Sequence, residues 1–345
     1  MLRSMGSNVF AQSGGGAVGA SRRVRRPKIG LALGAGVARG WAHIGVLREL
    51  EAAGLQFDVI AGTSAGAVVG GAYAAGKLDG IEAFARSLTK RGVLSLIDIS
   101  FAGHGIIGGA KLKSRLEKEL PDSLIEALPL RFAAVATEIG SGHEIWLTKG
   151  RLSDAMRASY AMPGLFEPVR ASDRWLVDGA LTNPVPVSVC RALGAEIVIA
   201  VNLVVDAVGR SAVIHDTYTP DQSLDQLIEA APPGKPGEFG FFDALRDPGK
   251  FFRQARPQPS GAPSIASVMV DAYNITQDRI VRSRLAGDPP DVLINARLGR
   301  IGLFDFHRAA ESIDIGRDVA RRSMAEISAC LGLAAPQASG RMIEA

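Results

Sequence analysis

Three short stretches carry residue types that together could move an acyl group. The first, Gly62-Thr63-Ser64-Ala65-Gly66, is a G-x-S-x-G pattern, in which a chain turns sharply from strand to helix and pushes a serine hydroxyl out at the bend. Gly62 and Gly66 suit such an elbow, because a side chain at either position would collide with the neighbouring strand or helix. The second, Asp178-Gly179-Ala180, offers a carboxylate. The third is the loop Gly34-Ala35-Gly36-Val37-Ala38-Arg39-Gly40, rich in backbone amides that a small-residue chain leaves accessible. Acyl transfer needs a nucleophile, a base and donors for the tetrahedral oxyanion; Ser64, Asp178 and the loop amides fill those roles in turn. A solvated aspartate, with a pKa near 4, takes a serine proton poorly. Asp178 therefore works as a base only where burial raises its pKa. A helix that starts just after Ser64 adds its N-terminal amides and the positive end of its dipole.

These stretches need a frame. Lys28 to Leu33 is a largely apolar run of the kind that forms a strand buried on both faces. It empties into the glycine loop, after which Trp41, Ile44, Leu47 and Leu50 fall on one helical face that stops at Gly54. Phe57, Val59 and Ile60 lead to Ser64. Strand, loop, helix, strand, elbow, helix makes two successive β-α units and predicts a parallel sheet. Further strands are expected at Leu130–Thr137, with Glu144–Thr148 as a hairpin partner, at Arg174–Val177, Glu196–Val201 and Asp291–Ile294. Helices are expected at Leu152–Ser159, after Pro184 and Pro186, at Ser264–Leu285 and at Phe306–Leu331. Residues 77–128 read as mainly helical with a glycine-rich break at 103–109. The glycine loop, Ser64 and Asp178 then all lie at the ends of parallel strands, the edge where open α/β sheets bind ligands.

The combination resembles the patatin-like phospholipase family. Leu33 to Gly40 matches the family's glycine-rich motif, Gly62 to Gly66 its nucleophile motif and Asp178-Gly179-Ala180 its aspartate motif. Arg157-Ala158-Ser159-Tyr160-Ala161-Met162-Pro163-Gly164-Leu165-Phe166-Glu167-Pro168-Val169 is similar to the segment before that aspartate. The resemblance covers about residues 28–205 and implies a three-layer α/β fold with a central, mostly parallel sheet. It also implies hydrolysis of lipid acyl esters by a Ser64–Asp178 dyad without histidine, and an oxyanion hole built from Gly34, Gly36 and Val37. Arg39 and Gly40 are expected to support the loop, Arg39 by pairing with a carboxylate or meeting a substrate phosphate, with a plain surface ion pair as the alternative, and no cofactor or metal is expected. One departure stands out: Ala35 and Val37 occupy positions where glycine is common in the family, and valine disfavours positive φ. Two other readings stay open. One is a Ser-His-Asp esterase using His215 or His307, the two histidines that follow Asp178. The other is a weakened member that acts as a regulatory or membrane-surface interaction protein. His43 is expected on the polar side of the first helix.

Composition narrows the rest. With 47% hydrophobic and 21% charged residues the chain has the makings of a sizeable core. We expect a flexible basic arm at 1–26, a catalytic core at 27–205, an irregular proline- and glycine-rich connection and possible lid at 206–262, and helices and a strand at 263–335 that complete the same domain. The net charge of +4 is mild, and no nucleic-acid partner is expected. Arg22, Arg23, Arg25, Arg26 and Lys28 cluster where they could touch anionic lipid headgroups. Cys190 and Cys330 lack metal or disulfide spacing, and Cys190 is expected in the core. No apolar run is long enough to span a bilayer, so the expected location is cytoplasmic, with peripheral contact at the inner membrane face. Dinucleotide binding fails, because the third glycine of G-x-G-x-x-G is Arg39 here.

Overall fold

A computed structural model describes residues 25–96, 114, 118, 123–204 and 265–333. The expected arm up to residue 24, the break at 103–109, the connection at 206–262 and His215 lie outside the described residues. The strands are Ile29–Leu33 (β1), Val59–Thr63 (β2), Arg131–Glu138 (β3) and Glu144–Leu147 (β4), then Val169–Ala171 (β5), Arg174–Asp178 (β6), Ile197–Asn202 (β7) and Val292–Asn295 (β8). The helices are Ala42–Ala52 (α1), Ala65–Ala74 (α2), Leu78–Ser87 (α3), Lys90–Leu96 (α4), Leu152–Tyr160 (α5), Val187–Ala192 (α6), Ile265–Gly287 (α7) and Ala309–Leu331 (α8).

All eight strands join one sheet in the order β5-β6-β3-β2-β1-β7-β8, with β4 also paired to β3. Strands β1, β2, β3, β7 and β8 are parallel. Strands β4, β5 and β6 are antiparallel to their neighbours, so the strand that carries Asp178 is not one of the parallel set, contrary to expectation. Strand side chains alternate between faces. Leu31, Leu33, Ile60, Phe132, Ile199 and Val201 pack with α1, α2 and α8 on one face. Ala32, Val59, Ala61, Ala133, Val135, Val198 and Ala200 meet Val187, Val189, Cys190 and Val281 on the other. The result is three layers, with Cys190 in the core as expected.

The second face is built from small residues for a reason. Ala133, Ala61, Ala32 and Ala200 stand in register across four central strands. A row of methyl groups lets α6 lie close, and a Cβ on Gly30 would come within 2.6 Å of Ala195 Cβ. On the first face, α1 and α8 touch through their backbones. A Cβ on Gly45 would lie 1.9 Å from Ile313 O, and one on Gly316 would lie 2.0 Å from Ala42 O. Trp41 caps this contact, edge-on to Phe84 and Phe306. At the start of the described chain, Arg25 and Arg26 form ion pairs with Glu196 and Asp58, so these two members of the basic cluster are held on the domain. No helix among the described residues is long and apolar enough to cross a membrane.

Because the α1–α8 contact is backbone against backbone, no rotamer change can relieve an added methyl group. Gly45→Ala should destabilise the protein by roughly 3 kcal/mol. Denaturant unfolding checks this against Gly54→Ala, where a Cβ meets nothing within 4 Å and only the φ of +79° is unfavourable.

Candidate active site

The site begins with an unusual property of β3, which has three partners. Its residues 131–135 pair with β2, 134–137 with β4 and 136–138 with β6. A strand has two edges, and the overlaps put β4 on one, so β2 and β6 share the other. Strand β2 runs parallel to β3 and stops with Thr63 opposite Val135. Strand β6 runs antiparallel and stops with Asp178 opposite Ala136. The two strands run head to head and end on adjacent residues of β3, which brings Ser64 and Asp178 together across 114 positions of sequence.

Ser64 sits at the bend with φ 55° and ψ −120°. Positive φ in a residue with a side chain costs on the order of 1–3 kcal/mol, and surrounding contacts must hold it. They do so tightly. A Cβ on Gly66 would lie 2.1 Å from Leu33 O, and one on Gly62 would lie 2.5 Å from Gly66 O, so both elbow glycines are required for close approach. The Ser64 amide donates to Ser159 Oγ at 2.8 Å, and that hydroxyl donates to Val135 O at 2.6 Å. Ser159, fully buried on α5, thus bridges the elbow to β3 just where β2 has turned away. Thr63 Oγ1 donates to Asn183 O at 2.8 Å.

Ser64 Oγ donates to Asp178 Oδ2 at 2.7 Å, and Ala180 N donates to Asp178 Oδ1 at 2.9 Å. The aspartate backbone is held as well, with its N–H on Ala161 O at 2.9 Å and its carbonyl accepting from Thr137 Oγ1 at 3.0 Å. A Cβ on Gly179 would lie 2.2 Å from Val135 O, so the turn after Asp178 lies flush on β3. Asp178 is 1% exposed. Burial raises its pKa to about 6, against the opposing pull of the Ala180 amide and the Ser64 hydroxyl. At neutral pH the carboxylate is mostly ionised and about a hundredfold more basic than a solvated aspartate.

The glycine loop lies beside the elbow, and its second half, Val37–Trp41, is a 3-10 turn. A Cβ on Gly40 would come within 2.2 Å of Ala65 Cβ. Four loop amides are committed: Gly34 to Val201 O, Ala35 to Pro184 O, Ala38 to Leu303 O and Arg39 to Gly36 O. This corrects the expected donor set, because the Gly34 N–H is spent on the sheet at 3.0 Å. Among the described residues no acceptor meets the amides of Gly36 and Val37. Val37 has φ 50°, the conformation that glycine adopts freely and valine resists. Arg39 anchors the loop from its far side, its Nε donating to Ile301 O at 2.9 Å.

A family model for patatin-like phospholipases matches residues 31–191. An uncharacterized NTE family protein of Mycobacterium tuberculosis is 33% identical over 353 residues, an alignment that takes in 88% of this chain and 94% of the relative. The chain belongs to the patatin-like phospholipase family. A lysophospholipase nte1 of Emericella nidulans is 31% identical over 188 residues, 53% of this chain and 12% of that much longer protein. A patatin-like phospholipase domain-containing protein of Caenorhabditis elegans is 34% identical over 178 residues, 50% of this chain and 13% of the relative. The family supports lipid acyl hydrolysis in general terms.

Within this patatin-like domain one histidine lies elsewhere than expected. His43 is fully buried rather than on a polar face, and its Nε2 lies 2.7 Å from Gly34 O. Burial lowers its pKa to about 4, so it is neutral and donates to that carbonyl, steadying the loop. His307 lies on the 3-10 turn Phe306–Arg308 before α8. The partner of the Ser64 hydroxyl is the carboxylate itself. Ser159 falls within the 157–169 motif, whose residue types alone assign it no role. A buried hydroxyl that bridges two backbones leaves no signature in residue spacing.

Two expectations follow for this patatin-like site. Ser159→Ala leaves the Ser64 amide and Val135 carbonyl unpaired in a dry site, which should cost about 1–3 kcal/mol and slow phosphonate labelling of Ser64; melting and labelling rates check both. His43 resists protonation until pH falls to about 4, whereas the unfolded chain takes the proton at about 6.5. Its contribution is therefore present above pH 6.5 and lost as pH falls toward 4, up to about 3 kcal/mol. Denaturant titrations across that window should show this slope weakened in His43→Gln.

Proposed function

We propose that this protein is a serine acyl hydrolase that cleaves lipid acyl esters through a Ser64–Asp178 dyad. The observation that carries the reading is the 2.7 Å bond from Ser64 Oγ to Asp178 Oδ2 in a buried site. In the first step Ser64 Oγ attacks the ester carbonyl carbon while its proton passes to Asp178. The carbonyl oxygen becomes an oxyanion, for which the Gly36 and Val37 amides and the N-terminal amides of α2 are the candidate donors. Collapse breaks the ester C–O bond, and the Asp178 proton goes to the departing alcohol. A water then gives its proton to Asp178 and attacks the acyl-enzyme carbonyl; the Ser64 Oγ–acyl bond breaks, Asp178 returns the proton to Ser64 Oγ, and the fatty acid is released.

An aspartate suits this cycle when it is desolvated, since it must take a proton from an alcohol and return it to another. A carboxyl with a pKa of about 6 is ionised at neutral pH and still basic enough to share the serine proton. The substrate class follows from family membership and from the named activity of the fungal lysophospholipase relative. Phospholipid, lysophospholipid and monoacylglycerol all present such an ester. The reading includes a cytoplasmic location and peripheral contact with anionic membrane through the basic residues at 22–28.

Ser64→Ala should abolish both ester turnover and fluorophosphonate labelling, a loss of at least about 10³-fold, with the melting curve retained. Asp178→Asn keeps the size and removes the base, so turnover should fall by roughly 10³–10⁴-fold. The same change should stabilise the fold. The carboxyl is raised from 3.8 to about 6, so the native state binds the proton more tightly. Its penalty grows as pH rises from 3.8 to 6 and reaches about 3 kcal/mol above that window. Full turnover by Asp178→Asn, or labelling of Ser64→Ala at another serine, rules out the dyad.

A further inference from the structure

Helix α7 brings one buried polar group to this site that the steps above do not use. The Tyr273 hydroxyl is buried and makes no hydrogen bond among the described residues. It lies near enough to Asp178 that, after burial itself, the carboxylate charge holds the phenol well above the ordinary tyrosine value, and the phenol in turn favours the ionised carboxylate. Gln277, one helical turn on, is 4% exposed and also acts on the phenol. Both contacts fall short of hydrogen-bond geometry in this conformation, so the hydroxyl is unpartnered and beside the base. Its helix is well placed. Arg284 Nε donates to Thr182 O at 3.1 Å and Arg284 Nη2 to Glu144 Oε2 at 3.0 Å, pinning α7 against the segment that follows Asp178.

The carboxylate has room for another donor. Oδ1 accepts from Ala180 N and Oδ2 from Ser64 Oγ, and an ionised carboxylate offers about four lone-pair sites. We propose that Tyr273 is a positioning residue of this site, its hydroxyl serving as the third donor to the Asp178 carboxylate, with Gln277 behind it. The donor then holds the carboxylate in the ionised form that Ser64 needs at neutral pH, in a position where burial alone would favour the neutral acid.

Among the described residues Tyr273 is the titratable group that acts on Asp178. Charges on the elements packed around it are drawn into ion pairs: Glu138 with Arg174, Glu144 with Arg284, Asp278 with Arg282, and Asp154 with Arg151. Among the described residues these elements also carry Arg157 of α5, Asp271 and Arg279 of α7 and Arg131 of β3, and His43 on the loop side is neutral.

The catalytic meaning of the proposal rests on the dyad reading, so its test needs one readout free of activity. The difference in unfolding free energy between the parent and Asp178→Asn, followed from about pH 4 to 9, inflects where Asp178 titrates. The second readout is the pH dependence of fluorophosphonate labelling at Ser64. In the Tyr273→Phe background both inflections should rise by about one to two pH units, while labelling at high pH is retained. Gln277→Met should move them the same way by less and serves as the second variant if Tyr273→Phe folds poorly. A stability inflection that stays in place in these variants overturns the proposal. If the stability inflection moves and the labelling profile does not, the Tyr273 contact stands and Asp178 is not the base.

Discussion

The structure depends on two strands that meet end to end on one edge of β3. Strand β2 arrives parallel and stops at Thr63; β6 arrives antiparallel and stops at Asp178. Hydrogen-bond register then sets the distance between two side chains that no local rule connects. The 2.7 Å bond between Ser64 and Asp178 follows from strand lengths, since moving either terminus by one residue would turn its side chain to the opposite face. This explains why the region is so rigidly held. Asp178 is fixed through its amide, its carbonyl and both carboxylate oxygens, and Ser64 through an amide bridged by Ser159.

Small residues make this junction possible. The elbow glycines, Gly40 against Ala65, and Gly179 against Val135 O all mark places where backbones come closer than any Cβ permits. The alanine row on the second sheet face and the Gly45–Gly316 contact between α1 and α8 do the same further out. At these glycines near the site two segments of the chain touch, and in that setting a methyl group acts as a wedge.

The site also holds its least stable features together. Ser64 and Val37 both carry positive φ, and a carboxylate is buried with no cationic partner among the described residues. Each is unfavourable alone, and each is tolerated because the surrounding sheet leaves it no alternative. Val37 is instructive in this respect. Its amide is one of two in the loop left without an acceptor among the described residues, as befits the first residue of the 3-10 turn, whose N–H has no partner within that turn.

Local pattern determined a good deal. The apolar runs of β1 and β2, the elbow at Ser64, the buried face of α1 and the glycine loop were all legible, because each is written in consecutive residues or in a helical repeat. Tertiary structure alone decided the rest. That Asp178 approaches on an antiparallel strand depends on pairing between residues far apart in sequence, and the short run 174–178 carries no signal of the direction in which it pairs. The loss of Gly34 as a donor depends on Val201, and the burial of His43 on the packing around α1. The roles of Ser159 and Tyr273 arise from helices that reach the junction from distant parts of the chain. Residue types and spacing name the groups that chemistry needs; which amides remain unpaired, which carboxylate is dry and which hydroxyl bridges two backbones are set only when strands register and helices close over them, because hydrogen-bond partners and dielectric are properties of the packed chain.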